Sequence, residues 1–392
     1  MSLSFENTAL AFRYKSDKKL RKAHFLFKAM QYPLLTRAGM KMAEWVMRYN
    51  LPFTKIIKNT IFIQFCGGES LEEAAETTLH LNKYKVGVAL DYGVEGKESE
   101  EDFINAVEEF KRAIRFAAQS NATIDFIPIK VTGFAQFNLL AKLDEGALLT
   151  TSEEAAWQKV QDRMFEIAEV ASAHNIKLLI DAEHSWIQRP LDDLTDRLME
   201  KYNKEYPLIY NTFQLYRHDR FSFLKKSHNK AQEKGYILGA KLVRGAYMEL
   251  ERQRAFEKGY PSPINATKTD TDRDYDAAVK YCIQHLGEIA VFIGTHNEES
   301  CMKAAKLMDE KGIDHQDHFV YFSQLFGMSD NITFNLADAG FKVGKYLPYG
   351  PVKDVIPYLI RRAEENSSVS GQTDREYQLL KKEMERRKSV GS

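Results

Sequence analysis

Short runs of apolar, often β-branched residues alternate along this chain with longer stretches in which apolar positions recur every three or four residues. The first pattern suits strands buried on both faces and the second suits amphipathic helices. Together they predict βα units built around a parallel sheet. The strand candidates are Thr60–Phe65, Lys85–Asp91, Ile124–Val131, Lys177–Asp181, Leu208–Gln214, Leu238–Arg244, Ile289–Thr295, Phe319–Phe322 and Phe341–Leu347. The helical stretches between and after them are Glu100–Ser120, Ser152–Ala173, Leu191–Lys201, Phe223–Lys234, Asp274–His285, Glu298–Lys311 and Lys353–Glu365.

A closed barrel of eight parallel strands leaves no strand edge bare, so one of the candidates is surplus. Thr60–Phe65 is set aside, because Cys66-Gly67-Gly68-Glu69-Ser70 follows it as a turn and Ser70, with Glu73 three residues on, reads as a helix N-cap. The expected fold is α/β, a (β/α)8 barrel whose strands run from Lys85 to Leu347, near the ~250 residues usual for that architecture. Residues 1–84 then form a mostly helical N-terminal arm, with helices near Lys18–Met30 and Thr36–Tyr49. Residues 85–369 form the barrel, and 370–392 a charged C-terminal helix or tail.

Composition narrows the function. The 55 basic residues balance 55 acidic ones, so no net field draws the protein to nucleic acid. Cys66, Cys282 and Cys301 are odd in number and form no CxxC pair, which argues against a disulfide framework or a zinc site. His315 and His318 make an HxxH pair with no carboxylate placed to complete a metal site, and no metal is expected. No stretch reaches the ~18 uncharged apolar residues of a spanning helix. Cytoplasmic placement is the expectation, with membrane contact at most peripheral on the inner face; the basic content of 370–392 is read as a solvated face.

In such a barrel the active site forms at the C-terminal strand ends, where this chain is rich in polar residues. Asp91 and Tyr92 follow the first strand, Lys130 lies in the second, Asp181-Ala182-Glu183 end the third and Gln214 the fourth. Lys241 to Tyr247 cover the fifth, Thr295-His296-Asn297 end the sixth, Gln324-Leu325 follow the seventh, and Tyr346 sits in the eighth. Any one of these has an ordinary structural reading as a cap or a satisfied interior group. Their joint placement is harder to explain so, because buried charges are costly unless paired with each other or a ligand. Beyond the eighth strand, Tyr358, Arg361, Arg362 and Glu365 share one helical face. Paired guanidiniums there suit a bidentate grip on a carboxylate, with Glu365 orienting them.

Four segments, Lys241–Tyr247, Gly294–Asn297, Gln324–Met328 and Tyr346–Asn366 with its RRxxEN run, resemble the proline dehydrogenase family, including the dehydrogenase domain of bifunctional proline utilization A proteins. The resemblance extends from about Lys85 to Ser368 and is nearest to the monofunctional members. It implies a distorted (β/α)8 TIM barrel, a final helix over its mouth and noncovalent FAD. The implied reaction is oxidation of L-proline to Δ1-pyrroline-5-carboxylate by hydride transfer from ring C5 to flavin N5, with the electrons passed to a membrane quinone.

Residue by residue, the resemblance implies that Arg361, Arg362 and Lys130 bind the carboxylate with Glu365 in support. Tyr346, Tyr358, Leu325 and Tyr247 enclose the ring, and Asp181 orders Tyr346 or Lys130. Ala182, Gln214, Lys241, Val243, Arg244, Gly245, Ala246, Met248, Thr295, His296 and Asn297 match the FAD positions. Many relatives carry arginine at 241 and an aromatic residue at 248, so Lys241 and Met248 are departures bearing on the flavin. The alternatives are another flavin barrel enzyme such as a methylenetetrahydrofolate reductase, a hydroxyproline dehydrogenase, against which the bulk of Tyr346 argues, and a noncatalytic amino-acid-binding barrel.

Overall fold

The computed structural model describes residues 3–32, 58–93, 98–368 and 372–390, and for 361–368 and 372 the backbone alone. Eight parallel strands form a closed barrel in chain order. They are β1 Gly87–Tyr92, β2 Ile124–Ile129, β3 Lys177–Ile180, β4 Ile209–Gln214, β5 Leu238–Val243, β6 Ile289–Gly294, β7 Val320–Leu325 and β8 Val343–Tyr349. Nearly every strand residue is buried, as expected where helices cover one face and packed side chains fill the other.

Two compact units make up the chain: Val94–Ser120 with Ile124–Ser323, and Met1–Gly93 with Asn121–Thr123 and Gln324–Ser392. In the first, Phe126 of β2 meets Tyr210 of β4 at 5.5 Å and Phe292 of β6 at 5.1 Å, both edge to face. Strands two apart touch only through the barrel interior, so these rings form an internal layer. Each such ring pair adds ~0.5–1.5 kcal/mol beyond area burial.

Helices α4 Glu100–Gln119, α5 Phe137–Glu145, α6 Thr151–His174, α7 Gln188–Tyr202, α8 Arg220–Lys234, α9 Met248–Lys258, α10 Lys268–Gln284 and α11 Glu298–Glu310 belong to the same unit. The sequence expectation starts α6 one residue late, at Ser152, because Thr150 and Glu153 form a complete capping box that starts it at Thr151.

The second unit holds α1 Thr8–Ala11, α2 Asp17–Met30, α3 Leu71–Asn82, α12 Asp330–Asp338, α13 Val352–Ser368 and α14 Gln372–Val390. The expected helix near Lys18–Met30 is α2, while the one near Thr36–Tyr49 lies outside the described residues. The surplus strand candidate Thr60–Phe65 is helical, a π-turn Lys58–Phe62 running into Ile63–Phe65. Helical spacing turns Phe62 and Phe65 into an apolar cluster with Phe12, Phe27, Val355, Tyr358, Leu359 and Leu380. Ser70 caps α3 as expected, but Glu73 reaches back to the Glu69 N–H at 2.8 Å. Gly67 donates to the Pro348 carbonyl of β8 at 2.8 Å, and a Cβ on it would fall 2.8 Å from Leu347, which explains the glycine.

Two boundaries are corrected. Gln324 and Leu325 are the last residues of β7 rather than its sequel. Gln324 is buried with its Oε1 accepting from the Thr333 hydroxyl at 2.7 Å, so its polarity does not end the strand. Lys130 lies just past β2, at the entry to a 3-10 turn over Val131–Gly133.

A buried charge cluster fastens this unit. Asp330 takes Lys345 of β8 at 3.0 Å and Lys15 at 3.1 Å, and accepts from the Tyr14 hydroxyl at 2.8 Å. Lys345 also donates to the Met328 carbonyl at 2.5 Å, and Glu376 of α14 accepts from the Ser329 N–H at 2.5 Å. Helix α13 leaves the C-terminal end of β8, with Val355 against Gly93 just past β1.

Candidate active site

Asp181 is the first residue beyond β3, and its N–H bonds to the Ile129 carbonyl as a continuation of the ladder. Lys241 lies in β5. Their side chains meet at 2.5 Å, 12% and 7% exposed. Because β3 and β5 are separated by β4, the pair forms inside the barrel. It stands toward the C-terminal strand ends from the aromatic layer, with the Lys241 ammonium 6.0 Å from the Phe292 ring centre. The sequence singled out both residues and joined Asp181 to Tyr346 or Lys130; the structure shows Lys241 as an ion-pair partner.

The β5 exit is anchored by Arg244. Its guanidinium donates to Asp272 and Thr295, both at 2.8 Å, and to the Ser300 hydroxyl at 3.0 Å, while lying 4.2 Å from the Tyr275 ring. Asp272 is drawn below the ordinary carboxylate range: burial works against this, and the Lys268 hydrogen bond and the Arg244 charge outweigh it. Thr295 and Ser300 belong to the entry of α11, which Asn297 caps by accepting from the Ser300 N–H at 2.9 Å. A rigid cation therefore stands at a helix N-terminus, a setting that favours anions. Gly245 follows at φ +127, and a Cβ there would meet the Tyr216 ring at 2.5 Å, so a side chain is excluded on both counts.

The remaining expected residues of this unit fall on the same loops. Gln214 ends β4 and donates its Nε2 to the Glu183 carbonyl at 3.0 Å. Ala182 lies in the loop after β3. Val243 ends β5, Ala246 lies in the following turn, and Tyr247 and Met248 open α9. His296 is half-buried between β6 and α11, and Lys130 is buried. In the other unit Leu325 ends β7, and Tyr346 lies within β8, buried, its carbonyl accepting from the Phe326 N–H at 2.9 Å. Tyr358 is a member of the apolar cluster of α2, α13 and α14. Arg361, Arg362 and Glu365 lie in α13, but their side chains are outside the described residues.

Three residues without a sequence-assigned role also shape these loops. Glu183 is buried and accepts from the Thr132 hydroxyl at 2.7 Å. Glu251 is buried and holds Ser185. His184 stacks on Trp186 at 4.4 Å and packs on Tyr247 at the same distance. The available signal was positional only: Glu183 sits beside Ala182, and Glu251 is one helical turn beyond Tyr247.

Residues 74–375 match the family model for proline dehydrogenase. Among curated proteins, the carbapenem antibiotics biosynthesis protein CarD of Pectobacterium carotovorum subsp. carotovorum is 36% identical over 328 residues, covering 82% of this chain and 83% of that protein. The mitochondrial proline dehydrogenase 1 of Homo sapiens is 42% identical over 246 residues, 62% of this chain but 41% of its own length. The solved structure of proline utilization A from Bdellovibrio bacteriovorus, inactivated by N-propargylglycine, aligns with a TM-score of 0.76 over 94% of this chain and 42% of that one. At 18% identity that likeness speaks to the fold alone. The chain belongs to the proline dehydrogenase family.

Proposed function

We propose that this protein oxidises L-proline to Δ1-pyrroline-5-carboxylate with FAD as its cofactor. One observation carries the reading: a member of this family places a buried Lys241–Asp181 ion pair inside the barrel, toward the strand ends where such folds do chemistry. The family is flavin-dependent, and the donor set suits FAD. Arg244 at the start of α11 offers a fixed cation and a helix N-terminus to a diphosphate. Gln214, having committed its amide nitrogen to Glu183, presents its oxygen as an acceptor for a ring N–H. Lys241, Val243, Gly245, Ala246, Met248, Ala182, Thr295, His296 and Asn297 complete the proposed cofactor contacts.

FAD, held by these residues, would supply the acceptor for the hydride that proline gives up. The residues supply binding and orientation. Arg361, Arg362 and Lys130 hold the proline carboxylate, Glu365 steadies the guanidiniums, and Tyr247, Leu325, Tyr346 and Tyr358 wall the ring. Such orientation is worth ~7–11 kcal/mol of barrier in well-aligned systems. Lys241, held by Asp181, would offer a fixed positive charge to the cofactor, which favours negative charge on it. A quinone would serve as the electron acceptor, with membrane contact at most peripheral. No described helix is long and apolar enough to cross a membrane.

Anaerobic incubation with FAD and L-proline should convert proline to the cyclic imine, lighter than proline by one H2, or to the ring-opened aldehyde that the imine forms by adding one H2O, both recognised by mass spectrometry. Proline recovered unchanged from flavin-loaded protein would overturn the reading.

A further inference from the structure

Glu251 has no part in the proposed chemistry, yet it is fully buried in the first turn of α9. A buried carboxylate is expensive unless its lone pairs are used. Here both oxygens are: Oε1 accepts from the Ser185 N–H at 2.7 Å and Oε2 from the Ser185 hydroxyl at 2.6 Å. This double grip ties the loop after β3, which carries Asp181 and Ala182, to the helix that begins at the end of the β5 turn.

The clasp has a clear geometrical consequence. Ser185 sits between His184 and Trp186, whose rings stack at 4.4 Å and 17°. The His184 ring packs on Tyr247, and the Glu251 N–H bonds to the Tyr247 carbonyl at 2.9 Å. Arg254, one turn beyond Leu250, lies 4.4 Å from the Trp186 ring and seals the stack from the helix side. Tyr247 is thereby fixed from two directions, by its own helix and by the ring that Glu251 holds in place.

We infer that Glu251 is a positioning residue for the cofactor site, locking the β3 loop and the β5 turn into the one arrangement that binds flavin. The inference rests on the proposal that Ala182 and Gly245–Met248 contact FAD. Without the clasp the two loops sample other arrangements, and apparent affinity falls by the fraction of molecules still competent.

The test is FAD affinity and the visible circular dichroism of the bound flavin in Glu251→Ala, Glu251→Gln and Ser185→Ala proteins, each beside its thermal unfolding curve. A competent population reduced to a few per cent weakens FAD binding ~10–100-fold in Glu251→Ala and changes the flavin dichroism. Glu251→Gln, which can still accept from the N–H and donate to the hydroxyl, stays within ~3-fold of wild type. Ser185→Ala keeps the N–H bond and loses less than Glu251→Ala, so it reports even if the latter fails to fold. Lower melting temperature with unchanged FAD affinity and dichroism in Ser185→Ala and in any folded Glu251 variant would overturn the inference, leaving Glu251 merely structural. A wild-type protein that binds no FAD would remove the proposed function and this inference with it. A wild type that binds FAD but ignores proline would remove only the proposed substrate.

Discussion

Two buried lysine–carboxylate pairs occupy different regions of this molecule, and the difference between them separates stability from chemistry. Lys345 and Asp330 are 0% and 3% exposed and are surrounded by protein groups: Lys15, Tyr14, and the Met328 carbonyl. Burial pushes the Asp330 carboxyl up, but the Lys15 and Lys345 charges together with the Tyr14 hydroxyl hold it below its ordinary value. That cluster joins the first helices, β8, α12 and α14 of one unit. Lys241 and Asp181 retain 7% and 12% exposure inside the barrel, toward the strand ends. A pair enclosed on all sides serves the fold. A pair that keeps contact with solvent at a barrel's functional end is the one placed to serve the proposed ligand.

Breaking each pair should separate the two roles. Asp330→Ala strips two buried ammonium groups of their nearest carboxylate, leaving only Glu376 near them, and should cost ~3–5 kcal/mol of stability, read as a lower denaturant midpoint. The protein that remains folded should keep its proline turnover within ~3-fold, since no catalytic contact is lost. Asp181→Ala should do the reverse. It loses ~100-fold or more in kcat/KM through misplacement of Lys241, with a destabilisation of ~1–3 kcal/mol. Equal effects of the two substitutions on both readouts would erase the distinction.

A smaller effect concerns pH. Burial, with the nearby Asp330 charge, pushes the Glu376 carboxyl from 4.5 up to about 7, the Ser329 N–H and the Lys345 and Lys15 charges only partly opposing it. A folded-state value above the unfolded one means that the protonated acid is preferred in the native protein. Its contribution is complete below 4.5 and is lost as pH rises through about 7. Asp330, held low, contributes in the opposite sense: its stabilisation is present above its ordinary 3.8 and is lost as pH falls through the lower folded value. Glu376→Gln should therefore flatten the decline of stability on the neutral side, measured by urea unfolding across pH, and leave the acid limb to Asp330. An unchanged neutral limb would contradict the assignment.

The sequence made the barrel legible because β3, β5 and β6 are mostly apolar runs bounded by turns. Their limits fall within two residues of expectation. The failures have physical causes. Thr60–Phe65 carries a strand-like composition, yet helical spacing lets Phe62 and Phe65 share one buried cluster. Helix α12 went unassigned because Asp330, Asn331, Thr333 and Asn335 are buried polar residues satisfied by tertiary partners, which no apolar period reveals. Helix α9 is mostly charged, with an exposed Phe256 that blurs its period. The rim residues were found from their positions at strand ends, but the Lys241–Asp181 pairing joins residues 60 apart and emerges only when β3 and β5 face one interior. Glu251 escaped for the same reason: its partner Ser185 is 66 residues away.

The most direct measurement of the central claim is the visible spectrum of the purified, FAD-loaded protein before and after anaerobic addition of L-proline. The account predicts a yellow protein whose flavin absorbance is bleached by proline, more readily than by hydroxyproline. A colourless protein that cannot be reconstituted with FAD, or a bound flavin that proline leaves oxidised, would contradict it.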